Sequence, residues 1–236
     1  MATLPKWQFD ELKHLTIEYI DPVEVQTFDV RRQGLNIQEQ DEAIINRLGL
    51  DRSHTVLDMG TGTGTFALTA AKHCAKVHAV DLSSAMLDCA RQKAAQAGAT
   101  NIEFHQAGCL TYEHQAGPVD AIVVKFVLHQ LPDFWKMVAL QRMAQMLKEG
   151  GQLYAYDLVF SFPIEEYAAH LNRWIAWWHE QGGPAMVIHA ERHLREKHNT
   201  FGWIMEGLLT RAGFAITADY DDLTAEYLCT KTARRE

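Results

Sequence analysis

A short apolar run, TVLDM (55–59), ends in three glycines at alternate positions, Gly60, Gly62 and Gly64, and an alanine-rich helical stretch, FALTAAKHCA (66–75), follows. Glycine lets the backbone turn sharply and approach a ligand closely. The helix start beyond it offers N–H groups with no partner inside the helix. A strand that turns this tightly into a helix is the opening of a βαβ unit, and the following sequence repeats the alternation. VHAVD (77–81), NIEFH (101–105), VDAIVVKF (119–126) and GQLYAYDLV (151–159) read as further strands. SAMLDCARQKAAQA (84–97) and FWKMVALQRMAQMLK (134–148) read as the helices between them, the latter closed by Gly150 and Gly151. The strands are continuously apolar rather than alternating, which predicts a mostly parallel sheet with helices on both faces.

The chain reads as a single domain over 1–236. Residues 1–50 form a polar, helix-leaning leader punctuated by Pro5 and Pro22, and 55–160 form the core of the α/β fold. Residues 161–199 leave the pattern and read as a helical insertion rich in tryptophan and histidine. The segment 200–236 supplies a last helix and two strands, FAITADY (214–220) and AEYLCTK (225–231), joined at Asp221–Asp222 as an antiparallel hairpin. The expected fold is thus Rossmann-like: seven strands, an antiparallel C-terminal hairpin and a helical lid.

Composition narrows the function classes. Of 236 residues, 47% are hydrophobic and 22% charged, an ordinary globular mix. The 30 acidic residues outnumber the 22 basic ones, and no basic tract is present, which argues against a dedicated nucleic-acid binder. No apolar run approaches the roughly 18–20 residues of a membrane helix, and Met1–Asp10 does not read as a secretory signal. Cys74, Cys89, Cys109 and Cys229 lack CxxC spacing, so a reduced, cytoplasmic setting is expected and no zinc framework.

The loop also carries information about its ligand. A dinucleotide site has the spacing G-x-G-x-x-G; here it is G-x-G-x-G, with Thr65 in the sixth place. Asp58, two places before the first glycine, would repel a pyrophosphate but accept hydrogen bonds from an ammonium group. Asp81, at the end of the second strand, either caps the helix after Leu82–Ser83 or takes two ribose hydroxyls.

The stretch from Thr55 to Asp157 resembles the class I S-adenosylmethionine-dependent methyltransferases. VLDMGTGTG is similar to their first motif, AVDLSSAML to their second and VDAIVVKFVLHQLPD to their fourth, and LLTRAGFAITADYDDLTAEYLCTK resembles their closing hairpin. The resemblance implies S-adenosylmethionine as cofactor and S-adenosylhomocysteine as product. The cofactor set would be Asp58, Met59, Gly60, Thr61, Gly62, Gly64, Asp81, Leu82, Met86, Gly108, Cys109 and Lys125. Gly60 and Gly62 would lie against the methionine part, Asp81 on the ribose, and Leu82 and Met86 on the adenine. One departure stands out. The turn after the third strand commonly carries an aspartate for the adenine, and here it is Gly108–Cys109.

Methyl transfer from a sulfonium is an in-line displacement, so alignment and exclusion of water dominate. A base is needed only where the acceptor keeps its proton. The candidates are Lys125, which either points at a carboxylate or snorkels to the surface; His129, either a base or a satisfied histidine packing the turn; and Asp157, which binds an amine, accepts a proton or caps the next residues. Trp174, Trp177 and Trp178 share one helical face, as core or as a lid over an apolar or aromatic substrate. Arg31 is a candidate for a substrate or cofactor carboxylate. ERHLREKH (191–198) reads as a solvated charged helix, and no metal site is expected from His189, His193 and His198.

The expected function is methyl transfer to a small molecule by a monomer or homodimer that engages neither nucleic acid nor membrane. Sulfonium chemistry other than methyl transfer, non-catalytic cofactor binding and nicotinamide-dependent oxidoreduction are the competing readings.

Overall fold

The computed structural model describes residues 5–30 and 36–233. Arg31 lies outside these residues. The core strands are β1 (Thr55–Met59), β2 (Lys76–Asp81), β3 (Ile102–Gln106), β4 (Val119–Lys125) and β5 (Leu147–Phe160), alternating with helices α4 (Thr65–His73), α5 (Ser84–Gln96) and α6 (Asp133–Met146). Before them come α1 (Ile17–Ile20), α2 (Pro22–Phe28) and α3 (Ile37–Arg47). After them come α7 (Tyr167–Glu196), the two-residue β6 (Thr200–Phe201), α8 (Gly202–Arg211), β7 (Phe214–Tyr220) and β8 (Thr224–Lys231).

The strand order is β3-β2-β1-β4-β5-β8-β7, with β6 paired to β5. Strands β1 to β5 pair in parallel, and β8 runs antiparallel to both β5 and β7. The seven expected strands are therefore present, with β6 as an eighth. One boundary differs from the sequence reading. Gly150 and Gly151 do not close α6; they lie inside β5, which begins at Leu147 because the chain pairs there with Val119 across a bulge.

Continuous apolarity in the central strands follows from burial on both sides. Leu57, Met59, Ile122 and Val124 face one core with Leu140, Met143 and Met205, while Val56, Ala121 and Val123 face another with Ile45, Phe66 and Ala70. Successive strand residues point to opposite faces, so each strand feeds both cores. The leader docks on the carboxyl side of the sheet. Asp21 caps α2 by accepting from the Val23 N–H at 2.8 Å, Pro22 opens the helix, and α1 and α2 pack on α5 while α3 packs on α4. Among the described residues, no helix is long and apolar enough to cross a membrane.

Candidate active site

The glycine loop is held open by backbone geometry that only glycine adopts freely. Gly60, Gly62 and Gly64 all have positive φ, at 78°, 55° and 82°. The Gly60 and Thr61 N–H groups both donate to the Val80 carbonyl, at 2.8 and 2.9 Å, which stitches the loop to the end of β2. A Cβ on Gly60 would come within 2.2 Å of Val127, whereas one on Gly62 would meet nothing within 4 Å. Gly62 therefore borders open space. Gly64 does not line the cavity. A Cβ there would approach Ala90 of α5 to 2.9 Å, so this glycine serves helix packing rather than the ligand contact expected of it.

Asp81 joins the loop to the next helix. Its Oδ2 accepts from Gly62 N–H and its Oδ1 from Ser83 N–H, both at 2.8 Å. Each oxygen keeps a second lone pair, so the carboxylate can still take two hydroxyls. Burial raises its pKa, with the Ser83 and Gly62 donors pulling the other way. Ser83 caps α5 through Met86 N–H, and its hydroxyl donates to the Tyr19 carbonyl of the leader.

Asp58 is buried and accepts from the Thr61 hydroxyl at 2.6 Å. Burial pushes its carboxyl up to about 7, against the pull of Thr61 and Lys125. Lys125 does point at a carboxylate, but at the chain's own: its ammonium pairs with the buried Asp41 of α3 and lies 5.4 Å from the Phe66 ring centre. Phe126, next in the chain, has φ 54°. A bulky residue in the left-handed region is strained; it is held there by its N–H bond to Tyr156 O at 2.8 Å and by edge packing on the Tyr156 ring.

The turn after β3 has its acid after all, from far away in sequence. Glu11, in the leader, is buried, and its carboxylate accepts from the N–H groups of Cys109 and Leu110 at 2.9 and 3.0 Å. Burial lifts its pKa to about 7, although these two donors work to lower it.

His129 and Asp157 form a buried pair, with Nδ1 and Oδ1 2.6 Å apart. Asp157 also accepts from the N–H groups of His129 and Leu158. Burial works to raise its pKa, but the His129 imidazole and these donors outweigh it and hold it below the usual range. Asp157 does not face the cavity as expected, since it sits behind His129 inside β5. The Gln130 amide lies 3.0 Å from His129 Nε2 while its oxygen accepts from Lys197 at 2.7 Å. These contacts place a proton on Nδ1 and give the Nε2 lone pair to the Gln130 N–H. The His193 ring lies 4.7 Å from that of His129; burial drives the pKa of His193 down to about 3. The reading of ERHLREKH as a solvated helix therefore fails at His193, which faces inward.

These groups border one cavity of about 840 Å³. Asp58, Met59, Gly60, Thr61, Gly62, Asp81, Leu82, Met86, Gly108, Cys109 and Lys125 line it, together with Glu11 and Phe126, which the sequence reading did not name. The far wall is α7, whose Trp174, Trp177 and Trp178 reach the cavity, with Trp177 and Trp178 ring centres 4.8 Å apart. The helix breaks at Gly182 and Gly183, where the backbone is not helical, just before Pro184. The Trp178 indole N–H is buried without a partner.

Among the described residues, His78, Glu103 and His105 are the one group with metal-ligand spacing; His189, His193 and His198 are not brought together. The His78 and His105 imidazoles lie 3.1 Å apart, where one donates to the other.

The polar groups fit S-adenosylmethionine. Asp58 suits an ammonium, Gly62 leaves room beside it, and Asp81 keeps lone pairs for two hydroxyls. Comparison with known proteins agrees. Residues 56–151 match the family model described as a methyltransferase domain. A demethylmenaquinone methyltransferase of Porphyromonas gingivalis is 34% identical over 128 residues, covering 50% of this chain and 51% of that protein. An uncharacterised methyltransferase of Anoxybacillus flavithermus is 27% identical over 207 residues, covering 85% of this chain and 91% of that protein. The chain spans about half the length of most of the curated relatives it matches. In fold, it is similar to magnesium protoporphyrin IX methyltransferase of Synechocystis with bound S-adenosylmethionine, at TM-score 0.65 and 14% identity, covering 97% of this chain and 100% of that one. Glycine loop, acidic partner, strand order and matched segment together support the class I S-adenosylmethionine-dependent methyltransferase family for this chain.

Proposed function

We propose that the chain transfers a methyl group from S-adenosylmethionine to a small apolar or aromatic acceptor. The observation that carries this reading is the continuity of one cavity from the glycine loop and Asp81 to the tryptophan wall of α7. The relative named for demethylmenaquinone supports an aromatic acceptor.

The cofactor, when bound, supplies an electrophilic methyl. Asp58 and the glycine loop hold its amino-acid end, Asp81 its ribose, and the α7 wall excludes water and aligns the acceptor. The acceptor displaces the Gln130 amide from His129 Nε2 and gives its proton to that nitrogen, while Asp157 keeps Nδ1–H in place and stabilises the imidazolium that forms. Lys125, tied to Asp41, balances the buried carboxylates near the loop rather than acting as the base. Release of S-adenosylhomocysteine over a panel of phenols, hydroquinones and amines tests the reading. An acceptor from the aromatic classes should turn over, and His129→Ala should lower kcat by about 10²–10⁴-fold with cofactor binding intact. Methylthioadenosine as the only nucleoside product would contradict methyl transfer.

A further inference from the structure

The nucleoside end of the cavity holds an arrangement that the local sequence does not show. Glu11 and the turn at Gly108–Leu110 are 98 residues apart, yet the Glu11 carboxylate sits on two N–H groups of that turn. Its seat depends on Gly108, because a Cβ there would come within 2.4–2.6 Å of the carboxylate atoms. Glu11 thus occupies the space that a side chain at 108 would take. Both residues line the cavity beside Leu82, Met86 and Cys109.

The two backbone bonds use one lone pair on each carboxylate oxygen and leave one on each. A buried carboxylate with spare acceptor capacity in an otherwise apolar pocket calls for a donor. Adenine presents one in its exocyclic amine; a base with a carbonyl at that position presents a second acceptor and is repelled. We propose that Glu11 accepts the exocyclic amine of the cofactor's adenine, so that the leader selects the base and closes the pocket over it. This assignment rests on the methyltransferase reading above. It makes Glu11 a specificity residue and explains the absence of an acid on the turn itself: the place is taken.

The test is calorimetric titration of the full chain with S-adenosylhomocysteine and with its inosine counterpart, in which a carbonyl replaces the amine. Wild type should favour the adenine ligand by about 10–100-fold, the range expected for a charged hydrogen bond. Glu11→Ala should erase most of that ratio by weakening the adenine ligand alone. Gly108→Asp should weaken binding, because two carboxylates then compete for one seat. Glu11→Ala combined with Gly108→Asp should restore the preference, a rescue that a purely structural role for Glu11 does not produce. Glu11→Gln keeps the size of the side chain and guards against misfolding of the leader; it too should lose preference. An unchanged ratio in Glu11→Ala and Glu11→Gln overturns the assignment alone. Failure of wild type to bind either ligand overturns it together with the methyltransferase reading.

Discussion

Asp58 is the residue whose chemistry is most exposed to pH. Its carboxyl is raised to about 7 by burial, so it is largely protonated in mildly acidic solution while the cavity is without a cation. An ammonium favours the ionised form, and binding it expels a proton below that pH. Affinity for S-adenosylhomocysteine should therefore strengthen from pH 6 to pH 8, by up to about tenfold per unit below pH 7. Titration in buffers of different ionisation heat should show proton release that shrinks in Asp58→Asn. Equal release in the variant would remove Asp58 from the ammonium site. Glu11 titrates in the same range and in the same direction, which is why the variant is needed. Asp58 and Asp81 were legible in the sequence because their neighbours in the chain, Thr61, Gly62 and Ser83, are also their partners in space. Glu11 and Asp41 were not. They reach Cys109 and Lys125 across 98 and 84 residues, and no local pattern marks such a partner.

The elements divide by what specifies them. The strands β1, β2 and β4 and the helices α4 and α5 were read within a residue or two, since propensity, glycine turns and burial agree there. The start of β5 was missed because pairing with Val119 overrides two glycines. The inward face of α7 at His193 was missed because a helix rich in charge can still turn one ring to a partner. The three loop glycines looked alike in sequence and differ in duty. Gly62→Ala should cost about 1 kcal/mol, the backbone penalty at positive φ. It should also weaken S-adenosylhomocysteine binding, because the added methyl borders the open cavity. Gly64→Ala adds a 2.9 Å clash with Ala90 on α5 and should lower the melting temperature further. Thermal melts and titrations of the two variants separate these roles; a binding defect confined to Gly64→Ala would reverse the assignment.

On the scale of the whole molecule, the cavity is built from parts distant in the chain: leader, sheet edge and broken helix α7. Thr63 of the glycine loop donates to Asp29 at 2.6 Å and Ser83 to Tyr19, so the leader is bonded to the loop and to the start of α5. A ligand that bridges these parts binds only the folded chain. It should add about 2.7 kcal/mol of stability at a hundred times its dissociation constant. A melting temperature that does not rise with S-adenosylhomocysteine concentration would be at odds with a site assembled this way. The central claim is that Asp81 and the glycine loop hold an adenosyl group bearing an amino-acid end. Calorimetric titration of S-adenosylhomocysteine into wild type and Asp81→Ala tests it most directly. The expected result is saturable binding by the wild type and a loss of about 1–3 kcal/mol in the variant, the worth of hydrogen bonds to a charged group. Equal affinity in the two proteins, or no binding to the wild type, would contradict it.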